Sequence, residues 1–210
     1  MKNFDRRKFL KTSLLSAATI SSSSIIQNAC SKDYLVNSEE NYMGDFAAPK
    51  LEKVRIAIIG AGGRGHAHAK QLASIKGTEI VGISDLHEDL VNRSVSSCIK
   101  EGNGRHQNIA KYFGDENLWK KMLKKVKPDA VIIATNWNNH AQMTIESMKQ
   151  RAHTFVEVPI AVTMKEMWEI VNTSEQTQKH CMMMENVNYG REELLYLNLC
   201  RKGVIGDLLH

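Results

Sequence analysis

The sequence has few cysteines and prolines, and its 210 residues include no uncharged apolar run long enough to span a membrane. The four cysteines are Cys30, Cys98, Cys181 and Cys200. They form neither a Cys-x-x-Cys pair nor a zinc-binding Cys/His spacing. If Cys30 is lipidated, three cysteines remain, an odd number that cannot all pair within the chain, so a disulfide framework is not expected to hold the fold together. Cys181 and Cys200 lie in apolar segments, and we expect both to be small core residues.

Basic residues are in excess only at the amino terminus. The chain carries a formal net charge of +5, of which +4 lies in residues 1–29 and +1 in the remaining 181 residues. Residues 30–210 are nearly neutral and have no excess of basic side chains to bind a phosphate backbone, so nucleic-acid binding is disfavoured. A hydrophobic content of 42% and a charged content of 24% are typical of a globular domain and exclude a wholly disordered chain.

The amino terminus has the pattern of an export signal. Arg6 and Arg7 precede a short apolar stretch that serines interrupt, which predicts a twin-arginine signal peptide over residues 1–29 and the twin-arginine export machinery as a partner. The segment ending in Cys30 resembles a bacterial lipoprotein cleavage box, although Gln27 replaces the usual aliphatic residue. We therefore expect a periplasmic or cell-surface lipoprotein, held to the membrane by lipid on Cys30. Ordinary cleavage nearby, without lipid, is the alternative.

Apolar and helical segments alternate along the rest of the chain. Near-continuous apolar runs, typical of strands buried on both faces, predict strands over residues 54–59, 79–84, 130–134, 154–157 and 181–185. Helical patterns are predicted over residues 65–75, 87–100, 115–127, 139–150, 163–179 and 191–202. This alternation predicts an α/β fold with a Rossmann-like doubly wound parallel sheet. The run Met182-Met183-Met184 is expected to be a core strand.

A glycine-rich turn lies directly between the first predicted strand and the first predicted helix. Gly60 permits a tight turn, Gly62 lets the backbone approach a pyrophosphate, and Gly65 lets the helix pack close to the sheet. Asp85, at the end of the next strand, is placed to accept hydrogen bonds from an adenosine ribose and to repel a 2′-phosphate. The turn therefore predicts a dinucleotide site that favours NAD over NADP. Arg64 could complicate this preference, since arginine pairs with phosphate.

Several segments resemble the glucose–fructose oxidoreductase and inositol dehydrogenase superfamily. They are the glycine turn, the strand ends at residues 83–85 and 133–135, and Glu157 two residues before Pro159. Most dehydrogenases of that superfamily have Glu-Lys-Pro at the last position, where the lysine assists proton transfer. This chain has Val158 in place of that lysine. The replacement counts against an ordinary dehydrogenase.

A narrower resemblance covers almost everything after residue 54. Residues 134–140, 156–159 and 184–189, supported by 193–195 and 203–206, resemble glycoside hydrolase family 109. Its characterised activity is that of an NAD-dependent α-N-acetylgalactosaminidase, which implies a glycoside with terminal α-N-acetylgalactosamine as the substrate. Where the family commonly has Trp-Glu-Trp-His, this chain has Trp-Asn-Asn-His, a departure at positions expected to pack around the cofactor or the substrate.

The same resemblance implies NAD as the cofactor and carries over its contacts. Together with the glycines of the turn, these positions are Gly60, Gly62, Gly63, Arg64, Gly65, Asp85, Trp137, Asn138, Asn139, His140, Glu157, Val158 and Asn186. Tyr189 follows a strand end, where open α/β sheets place ligands, and it is a candidate catalytic acid or base together with His140. The alternatives are structural: a half-buried packing role for Tyr189 and a helix cap at His140. No metal ligands are predicted.

The resemblance also implies a redox-neutral reaction. Hydride leaves C3 of the sugar for NAD⁺, the resulting ketone acidifies the C2 proton, and a base removes that proton as the group at C1 is eliminated. Water then adds at C1, and the hydride returns to C3. This cycle needs no external supply of cofactor, which suits a protein exported in its folded state, and it differs from the two-carboxylate mechanism of most glycosidases.

Two other functions stay open. One is a sugar oxidoreductase of the same superfamily that uses bound NAD(P). The other is a catalytically inactive lipoprotein that binds NAD or sugar.

Four segments are predicted: the signal peptide over residues 1–29, a linker over 30–52, the NAD-binding Rossmann domain over 53–185, and the truncated start of a C-terminal α+β substrate domain over 186–210. Family members continue well beyond residue 210. We therefore expect a fragment or a truncated product in which much of the sugar pocket is missing.

Overall fold

A six-stranded parallel sheet forms the centre of the computed structural model, which describes residues 42–207. Its strands are β1 Val54–Ile59, β2 Thr78–Asp85, β3 Ala110–Phe113, β4 Ala130–Ile133, β5 His153–Val156 and β6 Cys181–Met183. They lie in the order β3-β2-β1-β4-β5-β6, and every neighbouring pair is parallel. This is the strand order of the dinucleotide-binding Rossmann fold, so the predicted fold class is confirmed.

Helices cover both faces of the sheet. They are α1 Gly63–Ser74, α2 Glu88–Glu101, α3 Leu118–Val126, α4 Trp137–Lys149, α5 Met164–Thr177 and α6 Arg191–Arg201. Two successive residues of β1 point to opposite faces of the sheet. Ile58 packs in a cluster with α1 and α2, whereas Ile59 packs in a cluster with α3 and α4. Because both faces are buried, the strand sequence reads as a continuous apolar run.

The two edge strands depart from the sequence expectations. β3 lies in a stretch for which no strand was predicted, since its four residues include the exposed Lys111 and none is fully buried. At the opposite edge, Met182 and Met183 of β6 are 37% and 40% exposed, so the expectation of a core strand there is wrong. An edge strand has a neighbour on one side only, which leaves its side chains less covered.

The described cysteines are free thiols, and Cys98 is the one that is fully buried. Cys181 and Cys200 are only half-buried, which corrects the expectation that both are core residues. Cys181 lies on the edge strand β6, and Cys200 lies on α6, a helix in which no residue is fully buried. Among the described residues, no helix has both the length and the apolar character needed to cross a membrane.

The start of α5 carries a capping box. The Thr163 hydroxyl accepts a hydrogen bond from the amide of Glu166 at 3.2 Å, and the Glu166 carboxylate accepts one from the amide of Thr163 at 3.0 Å. Hydrogen bonds from the amides of Val162 and Thr163 hold the pKa of Glu166 below its ordinary value. Each side chain thus satisfies an amide that the helix leaves without a partner.

Replacing Thr163 with alanine is therefore expected to lower the free energy of unfolding by about 1 kcal/mol. Urea unfolding followed by circular dichroism measures the change. Thr177→Ala, at the opposite end of the same helix, is the control. A Thr163→Ala variant as stable as the wild type would contradict the capping role.

Candidate functional site

The candidate site is a cleft at the carboxyl ends of β1 and β4, where the strand order reverses direction. Open α/β sheets bind their ligands at this point, because the following loops diverge to opposite faces. The cleft has a volume of about 480 Å³. It is lined by Gly63, Arg64, Ala134, Thr135, Asn136, Trp137, His140, Glu157 and Val158. Six of these nine were predicted cofactor contacts.

The glycine turn joins β1 to α1 on one side of the cleft. Gly60 has a φ of +91°, and its amide donates a hydrogen bond to the Ser84 carbonyl at 2.8 Å. A Cβ at Gly60 would collide with the Ala134 carbonyl, and a Cβ at Gly65 would collide with the Gly60 carbonyl. Both glycines are therefore required by close backbone packing.

A different property marks the two glycines at the start of α1. A Cβ on Gly62 or Gly63 would meet nothing within 4 Å, so both backbones border open space. The first amides of α1 have no carbonyl partner within the helix, and the helix dipole gives this end a partial positive charge. An open cradle of this kind fits the pyrophosphate of a dinucleotide.

Asp85 lies at the end of β2, on the far side of the glycine turn. One of its carboxylate oxygens accepts a hydrogen bond from the Ala61 amide at 2.6 Å, and the other accepts one from the His87 amide at 3.0 Å. Arg93 also contacts the turn, donating to the Ala61 carbonyl at 3.2 Å. Asp85 thus holds the turn in place, and it occupies the position from which a Rossmann domain binds the adenosine ribose. No sequence signal pointed to Arg93, which is 32 residues from Ala61.

Glu157 follows β5 on the opposite side of the cleft and is held by α1. A single oxygen, Oε1, accepts a hydrogen bond from Arg64 Nε at 3.1 Å, forms an ion pair with Arg64 Nη2 at 3.0 Å, and lies 2.6 Å from His68 Nε2. Burial alone would raise the pKa of Glu157, but the hydrogen bonds from His68 and Arg64 outweigh it and hold the pKa below its ordinary value. Sequence reasoning missed His68, whose partner is 89 residues away.

This carboxylate is expected to contribute to acid unfolding. Its pKa is lower in the folded chain than in the unfolded chain, so its contribution to stability is complete above about pH 4.5 and is lost as the pH falls through the folded value. In Glu157→Gln, the free energy of unfolding should decline less steeply below about pH 4.5 than in the wild type. Urea unfolding over this pH range tests the prediction, with the exposed Glu116→Gln as the control. Equal slopes for Glu157→Gln and the wild type would contradict it.

His140 lies beneath the cleft and is 1% exposed. Its Nδ1 is 2.7 Å from the Pro159 carbonyl and its Nε2 is 3.1 Å from the Thr135 carbonyl. The ring therefore connects the loops that follow β4 and β5, and both nitrogens already face backbone acceptors. The structure supports a positioning role here, while the predicted catalytic role stays a prediction.

The remaining predicted contacts vary in their placement. Trp137, at the first position of α4, is 61% exposed and forms an apolar wall of the cleft. Asn138 is exposed and Asn139 is half-buried in the same helix turn. Neither of the two lines the cleft among the described residues.

Tyr189 ends a 3₁₀ turn, Val187–Tyr189, and Asn186 immediately precedes that turn. Neither residue lines the cleft. Tyr189 is 66% exposed, which is inconsistent with a half-buried packing role. Its role as an acid or base stays a prediction. Within residues 42–207, no three His, Cys, Asp or Glu side chains are grouped to hold a metal ion.

The strand order, the glycine turn and Asp85 define the class of this domain: it is a dinucleotide-binding α/β domain. Comparison with known proteins agrees. The profile of the Gfo/Idh/MocA family, described as "Oxidoreductase family, NAD-binding Rossmann fold", matches residues 54–185. The chain belongs to this family, and its cofactor is NAD.

Relatives of higher identity carry the names of glycosidases. "Glycosyl hydrolase family 109 protein 1" of Akkermansia muciniphila is 58% identical over 80% of this chain and 34% of its own length. "Alpha-N-acetylgalactosaminidase" of Shewanella oneidensis is 42% identical over 100% of this chain and 45% of its own length. The resemblance to family 109 is therefore confirmed. The chain spans between about a third and just under half of the length of these relatives.

Solved structures share the fold at lower identity. Scyllo-inositol dehydrogenase from Lactobacillus casei, with bound NAD(H) and scyllo-inositol, is 19% identical with a TM-score of 0.63, over 74% of this chain and 43% of that chain. Myo-inositol 2-dehydrogenase from Lactobacillus plantarum is 22% identical with a TM-score of 0.60, over 74% and 43%. These likenesses establish the fold and nothing finer.

Proposed function

We propose that this chain is the NAD-binding part of an exported NAD-dependent glycosidase that acts on terminal α-N-acetylgalactosamine. The names of the relatives support the substrate class. The observation that carries the proposal is the composition of the cleft. Glu157 lines it in an ion pair with Arg64, and beside it Val158, 44% exposed, takes the position at which most dehydrogenases of the superfamily have a lysine. Without that lysine, the cleft lacks the group that assists simple alcohol oxidation.

Different residues around the cleft would bind different parts of a dinucleotide. The amides at the start of α1, exposed by Gly62 and Gly63, bind the pyrophosphate. Asp85 accepts hydrogen bonds from the adenosine ribose while keeping the glycine turn closed through Ala61. The other half of the dinucleotide would then be held on the side of β4 and β5, where Glu157 lies.

When bound, NAD supplies reversible hydride transfer at C3 of the sugar, which acidifies the proton at C2. Trp137 provides an apolar wall of the cleft beside the reacting groups. His140 holds the Thr135 and Pro159 carbonyls together and so fixes the floor of the cleft. The exposed phenol of Tyr189 is the candidate for moving the C2 proton.

The proposal is tested on the protein extended to its natural carboxyl terminus and purified without added cofactor. Denaturation and assay of the released NAD give the bound stoichiometry. The undenatured preparation is then offered p-nitrophenyl α-N-acetylgalactosaminide without NAD. Retained NAD together with nitrophenol release would support the glycosidase cycle. Retained NAD with no release would overturn the proposed activity.

A sugar oxidoreductase is the second candidate, and the family description, "Oxidoreductase family", favours it. Such an enzyme would exchange hydride between two sugars and release no aglycone. Deuterium transfer from a labelled donor sugar to an acceptor, followed by mass spectrometry, distinguishes the two reactions. Retained NAD with neither hydride transfer nor aglycone release would point instead to an inactive binding protein.

Export by the twin-arginine route and lipid attachment to Cys30 are part of the same proposal. The paired arginines and the segment ending at Cys30 support it, and both lie outside the described residues. A folded export route lets a tightly held cofactor travel with the protein. Mass spectrometry of the mature amino-terminal peptide tests the proposal, because a diacylglyceryl group on an amino-terminal Cys30 is expected. An unprocessed amino terminus in the cytoplasm would overturn it.

A further inference from the structure

The ion pair between α1 and β5 concentrates three contacts on one atom. Arg64 contributes two nitrogens and His68 contributes one, and all three approach Oε1 of Glu157. Within residues 42–207, no group hydrogen-bonds the second oxygen, Oε2. The Glu157 side chain is 14% exposed, whereas that of Arg64 is 59% exposed. The carboxylate is thus fixed in orientation and has one oxygen available to a ligand.

This pair also sets the charge of the cleft. Arg64 and Glu157 are the only Arg, Lys, Asp or Glu side chains that line it in the described part of the chain. Their formal charges cancel. Because a cleft between protein walls screens charge less than open water does, removing either partner would leave a full charge acting on the bound ligand.

The position of the pair matters for a dinucleotide. In a Rossmann domain, the adenosine lies toward the acid that ends β2, and the pyrophosphate lies on the glycine turn. In this chain the acid that ends β2 is Asp85, and the glycine turn contains Gly62. The nicotinamide half is therefore left to the side of β4 and β5, where Glu157 lies. The nicotinamide ring carries a positive charge in NAD⁺ and is neutral in NADH.

We propose that Arg64 offsets the charge of Glu157, held in place by His68, so that the cleft retains both NAD⁺ and NADH. The inference rests on the proposed redox-neutral cycle, in which both forms must stay bound. An uncompensated Glu157 would attract the cationic ring of NAD⁺ and favour release of NADH. An uncompensated Arg64 would do the opposite. The balance between these two residues sets the ratio of the two affinities.

The test measures the dissociation constants of NAD⁺ and NADH for the full chain by calorimetry at about pH 8. Arg64→Leu should shift the affinity ratio about tenfold toward NAD⁺, and Glu157→Gln should shift it about tenfold toward NADH. The double variant should return to within about threefold of the wild-type ratio, and Arg64→Lys should leave the ratio unchanged. Both single-variant shifts should shrink at about 1 M salt.

The opposite signs distinguish a charge effect from damage to the cleft. A lost pyrophosphate contact or a distorted fold weakens both forms of the cofactor equally, so it leaves the ratio unchanged. His66→Gln is the matched control, since His66 lies on the same helix but contacts Ser94 instead. Shifts of the same sign, or no shift in either variant, would overturn the inference whatever the glycosidase assay shows. Binding of neither form by the wild type would also overturn it.

Discussion

Replacing Gly65 with alanine is expected to abolish NAD binding and to lower the free energy of unfolding by about 1–3 kcal/mol. A Cβ at this position would collide with the Gly60 carbonyl and would lie 3.4 Å from the Ala134 Cβ. The Gly60 carbonyl is a backbone atom at the end of β1 and cannot swing aside as a flexible side chain can. Helix α1 must therefore move away from the sheet, and the amides at its start move with it.

Gly62→Ala is the matched variant for this prediction. A Cβ at Gly62 meets nothing within 4 Å, and the residue has an ordinary φ of −61°. The free energy of unfolding should change by less than about 1 kcal/mol, since this is a helix N-cap position. The affinity for NAD should nevertheless fall about tenfold or more, because the added methyl group keeps a phosphate from the backbone amides.

Urea unfolding and calorimetric titration with NAD measure both variants. The pair separates two uses of glycine in the same turn: close packing of helix against strand at Gly65, and close approach of a ligand at Gly62. A Gly65→Ala variant with wild-type stability would show that the helix adjusts freely. Unchanged NAD affinity in Gly62→Ala would show that the pyrophosphate does not bind at the glycine turn.

The central fold could be predicted from the sequence because its strands are buried on both faces. β1 and β4 read as uninterrupted apolar runs, and the glycine turn follows the first of them directly. Local signals also located the start of α5, where the capping box needs only residues three apart. In each case the physical cause lies within a few residues of its effect.

The edge strands of the sheet and the side-chain contacts across the cleft could not be predicted in this way. β3 is four residues long and half-exposed, so it has no apolar run to reveal it. The pairing of His68 with Glu157 joins residues 89 apart, and it exists because α1 and the residue that follows β5 both lie beside the cleft. The family resemblance pointed to Arg64 and Glu157 separately. Only the fold shows that they form one charge pair.

Asp85→Asn is expected to weaken NAD binding about tenfold to a hundredfold and to reduce the preference for NAD over NADP. A neutral amide accepts weaker hydrogen bonds from a ribose than a carboxylate does, and charged hydrogen bonds contribute about 1.5–3 kcal/mol each. Removing the negative charge also removes the repulsion of a 2′-phosphate. Titration with NAD and with NADP at constant ionic strength measures both effects.

The loop contacts of Asp85 give the same substitution a second consequence. If the asparagine amide group faces Ala61, the amide of Ala61 loses the acceptor that it has at 2.6 Å, and the turn loosens. Asp89→Asn is the matched control, because Asp89 loses the same charge at an exposed position in the first turn of α2. A loosened turn alone would weaken NAD and NADP equally. A relative gain for NADP in Asp85→Asn and not in Asp89→Asn therefore identifies the ribose contact, and an unchanged NAD-to-NADP ratio would limit Asp85 to holding the turn.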